Sequence, residues 1–172
     1  LLHERVLLVG DGVLTAGDVD PAEVAAVVSG LGERGVVRLD ALIDGGIQDR
    51  DMLSVLVRAG LPHDGIVVDA RVRTSEVVEK LGRATKSGIT VSVPGARWVW
   101  PRTLDGVQTG DEMLIYAKME DPQQFAVTLA GAELGSPSPQ LAAAAEPLVR
   151  RTVAKAQIGA LTEELSELDS NQ

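Results

Sequence analysis

Apolar positions in the first half of the chain follow two alternating patterns. Largely apolar segments with strand character occupy residues 6–9, 36–43 and 66–72. Between these segments, apolar residues recur every three or four positions, as they do on the packed face of a helix. Strands that alternate with helices predict right-handed βαβ crossovers and a small, mainly parallel sheet in an α/β fold. The helical stripes are Val24, Val27, Val28 and Leu31; Met52, Leu53, Leu56 and Val57; and Val77, Val78 and Leu81.

Each predicted helix is preceded by residues that favour a helix start. Asp20 stands before Pro21, which matches an N-cap aspartate followed by proline at the first helical position. Asp49 lies at the start of the second stripe, and Thr74 or Ser75 at the start of the third. These residues predict three helices that begin near positions 21, 50 and 75.

Two stretches 53 positions apart resemble each other without a gap. Residues 11–37 and 64–90 share six identities and the same order of apolar run, polar segment and apolar stripe. We interpret them as two similar βαβ units that form the sheet. Chance similarity in a chain this rich in glycine and valine is the alternative. The identities are Asp11/Asp64, Gly12/Gly65, Val19/Val72, Glu23/Glu76, Val24/Val77 and Gly35/Gly88.

The pattern changes after Pro94. Residues 96–100, 112–119 and 124–129 have strand character with no helical stripe between them, which predicts an antiparallel β extension over 94–134. A Pro- and Ser-containing linker at 135–139 then leads into a helical arm that ends near residue 168, with a break predicted at Glu146-Pro147. The predicted organisation is an α/β domain at 1–93, the β extension at 94–134, and linker plus arm at 135–172.

Charge and composition narrow the class of function. The formal net charge of −9 argues against nucleic acid and against an anionic membrane surface, since both bind basic faces. The absence of cysteine excludes disulfides and thiolate chemistry, and it fits a cytoplasmic location. Only four residues are aromatic, so the core is expected to be aliphatic.

Aspartates near the ends of the predicted parallel strands are one candidate site. Ligands of open α/β sheets bind beyond the carboxyl ends of the strands. Asp44, which precedes Gly45-Gly46, and Asp69 could hold Mg²⁺ there beside a phosphate. The alternative is that Asp44 forms a turn and the nearby Asp40 is a solvated strand residue. Gly10-Asp11-Gly12 lacks the third glycine of a dinucleotide fingerprint and is better explained by a tight turn, with a hairpin as the predicted local structure.

The segment 97–102 is a second candidate, because it holds both tryptophans and two arginines. Tryptophan and arginine are the residues most enriched at binding hot spots. On a regular strand Trp98 and Trp100 share one face, flanked by Arg97 and Arg102. This predicts a partner-binding surface. The alternative is that the two indoles complete an otherwise aliphatic core.

The third candidate is an apolar stripe near the C-terminus, formed by Ile158, Leu161, Leu165 and Leu168 at spacings of three, four and three. It covers barely two heptads, which is too short to establish a coiled coil. The stripe therefore predicts either a helix docked on its own domain or a helix that binds a partner.

Two classes of function remain open at this point. The first is a non-catalytic assembly or regulatory module that binds a protein partner, or forms a homo-oligomer, through the Trp98/Trp100 strand and the C-terminal helix. It needs no cofactor. The second is a small-molecule or phosphate-ligand enzyme with a carboxylate site, with Mg²⁺ as its possible cofactor, at the carboxyl edge of the sheet. The first is favoured because the chain has two histidines, no cysteine and no recognisable pair of nucleophile and base.

Overall fold

The fold is seen in a computed structural model, which describes residues 4–15, 17, 20–121, 126–130 and 146–169. The chain divides into two compact units. Unit 1 comprises Leu1–Ser87 and Asp105–Asp111, and unit 2 comprises Gly88–Leu104 and Glu112–Gln172. The chain is thus mixed α/β, as its periodicity predicts.

Unit 1 is built on a parallel sheet of three strands in the order β1-β2-β3. The strands are β1 (Arg5–Gly10), β2 (Arg38–Ile43) and β3 (Val67–Asp69), and both pairings are parallel. Helix α1 (Pro21–Ser29) and the 3₁₀ helix Gly30–Arg34 connect the first two strands, and α2 (Arg50–Val57) connects the second and third. Helix α3 (Thr74–Gly82) follows β3. The predicted small parallel sheet is therefore confirmed.

An aliphatic core lies between α1, α2 and one face of the sheet. β2 is the central strand and is buried along almost its whole length, whereas the edge strand β1 exposes Leu7 and Val9. A central strand is covered by its neighbours and by helices, while an edge strand is only partly covered, so the continuous apolar run of β1 does not imply full burial. The fully buried members of the core include Ile43, Leu53 and Val36.

Two of the three predicted helix caps are confirmed. The Asp20 side chain accepts a hydrogen bond from the Ala22 backbone N–H at 2.8 Å, and the Asp49 side chain accepts one from Met52 at the same distance. The third prediction was wrong, because Arg73 occupies the N-cap of α3 and no side chain caps that end. Its Thr74 is instead the first helical residue.

The predicted duplication is not confirmed. Residues 11–15 form no strand, so the first stretch contains a helix without its own leading strand, and the predicted hairpin at Asp11-Gly12 is wrong. In the second stretch, β4 (Ile89–Ser92) does not join the parallel sheet but pairs antiparallel with later strands. The matched residues are instead of the types that are generally favoured at helix starts, helix ends and turns.

Unit 2 contains two small antiparallel sheets. One has the order β6-β4-β8, with β6 at Thr103–Leu104 and β8 at Thr128–Ala130. The other pairs β5 (Ala96–Trp100) with β7 (Tyr116–Met119). Antiparallel pairing after Pro94 is as predicted, although β7 begins four residues later than the predicted strand at 112. In β4, Ile89 and Val91 are buried while Thr90 and Ser92 are exposed, which confirms its predicted two-sided character.

Helix α4 (Glu146–Asp169) is the longest element of the chain. The residues before Glu146 lie outside the described part of the chain, so the break predicted at Glu146-Pro147 stays a prediction. The predicted linker and residues 140–145 of the predicted helix lie outside the described residues. Among the described helices, none has the length and apolar character required to cross a bilayer.

Candidate functional site

Helix α4 packs on its own unit through small side chains. Ala156 is 2% exposed, and Val153, Gly159 and Ala160 on the same side are partly buried. The indole of Trp100 in β5 lies against Gly159 so closely that a Cβ at position 159 would come within 2.9 Å of the Trp100 ring atom Cζ2. Glycine and alanine therefore allow the helix to approach the tryptophan.

The large aliphatic residues of α4 lie on a different side of the helix. Ile158, Leu161 and Leu165 are 66%, 60% and 63% exposed. At 3.6 residues per turn these three positions lie on one line that is nearly opposite the packed face. We call these three residues the α4 stripe. The side chain of Leu168, the fourth predicted member, lies outside the described residues.

Exposure of the α4 stripe has a cost in free energy. A fully buried Leu or Ile side chain is more stable by about 1.5–3 kcal/mol than the same side chain in water. The unit already packs α4 by its other face, so the fold leaves this apolar surface unpaired among the described residues. Exposed apolar surface of this kind is typical of interaction sites.

Trp98 lines a shallow cleft of ≈ 280 Å³ in unit 2. Arg97 and Arg102 line the same cleft, together with polar residues of β4 such as Thr90 and Ser92. The Arg97 guanidinium forms an ion pair with the Glu120 carboxylate. The structure therefore brings together three of the four residues that the sequence places in the predicted tryptophan surface.

Trp100, the fourth residue, has a packing role. Its ring centroid lies 6.1 Å from that of Tyr116 on the paired strand, in a tilted arrangement, and the indole also meets Gly159. The register of β5 shifts between Ala96 and Trp98 but is regular from Trp98 to Trp100, so the two indoles lie on one face of the strand, as alternation predicts. The alternative reading of the indoles as core residues thus applies to Trp100, and the binding prediction remains for Trp98.

At the carboxyl edge of the parallel sheet, Asp69 is already paired. Its carboxylate accepts hydrogen bonds from Arg71 Nε and Nη2 at 2.9 and 2.7 Å, and Arg50 Nη2 lies 3.6 Å away. The Arg71 side-chain and backbone hydrogen bonds hold the pKa of Asp69 well below its usual range. Sequence reasoning missed both arginines, although Arg71 is only two residues from the aspartate.

At the same edge of the sheet, the side chains of Asp44 and Asp11 accept hydrogen bonds from backbone N–H groups that are close in sequence. Asp44 Oδ1 accepts from the Gly45 N–H at 2.9 Å, and Asp11 Oδ1 accepts from the Val13 N–H at 3.0 Å. Gly12 has φ +81°, and a Cβ there would lie 2.3 Å from the Asp49 carbonyl oxygen. The Gly-Asp-Gly segment is therefore a tight turn fitted against the start of α2, as one of its two readings proposed.

The edge offers little of the geometry that a cation site requires. Across the part of the chain that the structure describes, no three or more His, Asp or Glu side chains cluster so as to hold a metal ion. The order β1-β2-β3 also contains no reversal, and such a reversal is what opens a ligand crevice in an open α/β sheet. The predicted Mg²⁺ site at Asp44 and Asp69 therefore gains no support.

A buried ion cluster lies on β2, where the sequence suggested a solvated aspartate. Asp40 is 2% exposed, so that interpretation was wrong. Asp40 accepts hydrogen bonds from Arg38 Nε at 2.9 Å, Arg5 Nη2 at 2.7 Å and the Ile66 backbone N–H at 3.0 Å. Arg38 Nη2 also lies 2.7 Å from Asp40 Oδ1 but forms no hydrogen bond among the described residues. The cluster ties β1, β2 and the segment before β3 together.

Comparison with known proteins returns no matching family model and no matching curated protein. Function is therefore argued from the sites alone.

Proposed function

We propose that this chain is a non-catalytic assembly module that binds a protein partner through the α4 stripe. The observation that carries the proposal is the exposure of Ile158, Leu161 and Leu165, each at 60% or more, on a helix whose opposite face is packed. Apolar anchors at positions i, i+3 and i+7 are what a helix presents when it lies against another helix or in a groove.

The chemistry of the surface favours a protein over other partners. A net charge of −9 repels nucleic acid and anionic lipid headgroups. Exposed aliphatic residues bordered by charged ones resemble the core and rim of a protein–protein interface. The partner is thus expected to present a complementary apolar face.

The Trp98 cleft supports the proposal as a second contact surface. It combines a half-buried indole with the exposed Arg102, and Trp and Arg are the side chains that most often dominate binding energy. Its small volume suits one inserted side chain of a partner better than a complete small-molecule substrate.

The alternative function, an enzyme with a carboxylate site, has less support. It needs free carboxylates at the sheet edge, whereas Asp69 is held by Arg71 and Asp44 by its own turn. It stays a prediction that a metal titration can test: we expect millimolar Mg²⁺ to leave the melting temperature unchanged. A rise that Asp44→Asn removes would favour the enzyme.

Site-specific photo-cross-linking tests the proposed function. A photoreactive phenylalanine derivative would replace Leu161 in the full chain, and Thr152, which is exposed on the other side of α4, provides the matched control. We expect the position-161 chain to form a discrete adduct with a second polypeptide in cells, and we expect Leu165→Glu to suppress it. Equal adducts from both positions, or none from position 161, would contradict the proposal.

A further inference from the structure

The charges of α4 are divided between its two halves. Arg150, Arg151 and Lys155 are the basic residues of the helix, and all lie in its first half. Its acidic residues, apart from Glu146 in the first turn, all lie in the second half: Glu163, Glu164, Glu167 and Asp169. The helix is thus basic towards its N-terminus and acidic towards its C-terminus.

Near the C-terminal end, Glu167 and Asp169 oppose the helix macrodipole, whereas Glu146 in the first turn favours it. Negative side chains stabilise the N-terminal end of a helix and positive side chains the C-terminal end, each by about 0.3–1 kcal/mol. The pair between Glu146 and Arg150, at 2.7 Å, compensates only locally, and the last turn has no basic residue. The macrodipole acts only within the first and last turns, so it does not explain why the basic residues lie in the first half of α4 and the acidic residues in the second.

We infer that the partner of the α4 stripe is the α4 helix of a second copy of this chain, packed antiparallel. This inference rests on the proposed assembly function. Antiparallel packing lays the basic half of each helix beside the acidic half of the other, whereas parallel packing would place like charges together. The charge pattern therefore selects both the partner and its direction.

One register satisfies the apolar and the charged residues together. When Ile158 faces Leu161 of the second copy, the twofold symmetry repeats the same contact with the two copies exchanged. Residues 150–155 of one helix then lie alongside residues 164–169 of the other. The face of α4 that holds Ala156 and Gly159 is left in place on β5, so association requires no rearrangement of unit 2.

Sedimentation equilibrium of the full chain and of charge-reversed variants tests the inference. One variant carries Arg150→Glu and Lys155→Glu; another carries Glu164→Lys and Asp169→Lys, because these four positions border the α4 stripe whereas Glu163 and Glu167 lie on the opposite side of the helix. We expect the unchanged chain to form a dimer that high salt weakens, each variant alone to associate at least tenfold more weakly, and an equimolar mixture of the two to form a heterodimer. A chain with both sets of changes has the original net charge and should self-associate again.

A spin-label distance tests the direction of packing. The chain has no cysteine, so Thr152→Cys provides a single attachment point. In the proposed register the two labels are offset by about 22 Å along the helix axes. In a parallel pair that axial offset is absent, so the two labels would be separated only by the width of the pair and would lie closer together.

The outcomes separate this inference from the proposed function. A short label distance, or charge reversals that leave the dimer intact, would overturn antiparallel pairing; if Leu161→Glu still abolishes that dimer, assembly through the stripe stands. A monomeric chain whose position 161 cross-links to a different polypeptide would overturn the second copy as partner and keep the proposed function. A monomer without adducts would overturn both.

Discussion

Asp40 and Asp44, in and just after β2, have different roles because they differ in burial. Asp40 lies within the strand, is almost fully buried and is compensated by Arg38 and Arg5. Asp44, four residues later, is exposed and closes a turn with Gly45. A buried charge that loses its partner leaves an uncompensated charge behind, whereas an exposed carboxylate is solvated by water. The two positions therefore form a natural pair for comparison.

Replacement of the two carboxylates by amides should affect stability very differently. We expect Asp40→Asn to lower the free energy of unfolding by about 3 kcal/mol, since Arg38 stays buried without its counter-charge. This lies at the low end for a broken buried pair because Arg5 is 43% exposed and can be solvated. Asp44→Asn should change little, because the amide oxygen can still accept the turn hydrogen bond. Urea unfolding measures both; similar losses would contradict the assigned roles.

The pairing of Asp69 with Arg71 should appear in the acid dependence of stability. The pKa of Asp69 is lowered in the folded chain, so the native state binds fewer protons than the unfolded state as the pH falls. Its contribution is therefore present above an unfolded pKa of about 3.9 and is lost at lower pH. We expect the stability difference between the unchanged chain and Arg71→Gln to be constant near neutrality and to shrink below about pH 4. A difference that grows on acidification would be inconsistent with this pairing.

Helix α4 is packed on one face and exposed on the other. Its small residues Ala156 and Gly159 face β5, while the larger Ile158 and Leu161 face outward. Small residues allow close approach of a helix backbone to the Trp100 ring. Because of this close approach, a larger side chain on the packed face should destabilise the chain even if the new residue has a higher helix propensity.

Two glycine-to-alanine substitutions distinguish the effect of helix propensity on stability from the effect of packing. Alanine favours a helix over glycine by up to about 1 kcal/mol. At Gly82, the last residue of α3, a Cβ would meet no atom within 4 Å, so Gly82→Ala should stabilise the chain. At Gly159 the Cβ would meet Trp100 at 2.9 Å, so Gly159→Ala should lower the free energy of unfolding by about 1 kcal/mol. Denaturant unfolding followed by tryptophan fluorescence measures both. Equal stabilisation at the two sites would argue against the close packing of α4.

The whole chain is organised as two units that do not follow sequence order. Unit 1 is completed by Asp105–Asp111, a segment that returns after three strands of unit 2. Gln108 in that segment is buried and donates to the carbonyl oxygens of Lys80 and Arg83 at 2.8 and 3.2 Å. Val107 bridges to Lys86 through two backbone hydrogen bonds. These contacts tie the returning segment to the end of α3 and to the residues that follow it.

Unit 1 should therefore be less stable when the returning segment is absent. We expect a fragment ending at Ser87 to unfold at a markedly lower urea concentration than a chimera in which a short Gly-Ser linker joins Ser87 directly to Asp105–Asp111. Circular dichroism during urea unfolding measures the difference. As a control, Gln108→Ala in the chimera should remove part of the gain. Equal midpoints for the two fragments would show that the segment contributes nothing to unit 1.

Local signals in the sequence determined the helices and the parallel sheet of unit 1. Asp20-Pro21 and Asp49 cap helices through hydrogen bonds to residues two or three positions away, and apolar periodicity is likewise local, so both can be read from the chain. The exposed α4 stripe was also visible as spacing. The sequence did not show which face of that helix would be covered, because that depends on where Trp100 lies in the folded chain.

The tertiary structure alone decided the features that depend on distant partners. The strand β4 has a clear strand pattern, but a strand's sheet is set by the backbone groups that pair with it, and these lie at 103–104 and 128–130. The burial of Asp40 depends on distant partners as well as on the nearby Arg38, because Arg5 and the Ile66 N–H that bond to it are 35 and 26 residues away. Trp98 and Trp100 have different surroundings although they are two residues apart on one face of β5, because Trp100 lies against Gly159 and Tyr116, which come from distant segments. Pairing and burial arise from contacts between remote segments, and such contacts exist only in the folded chain.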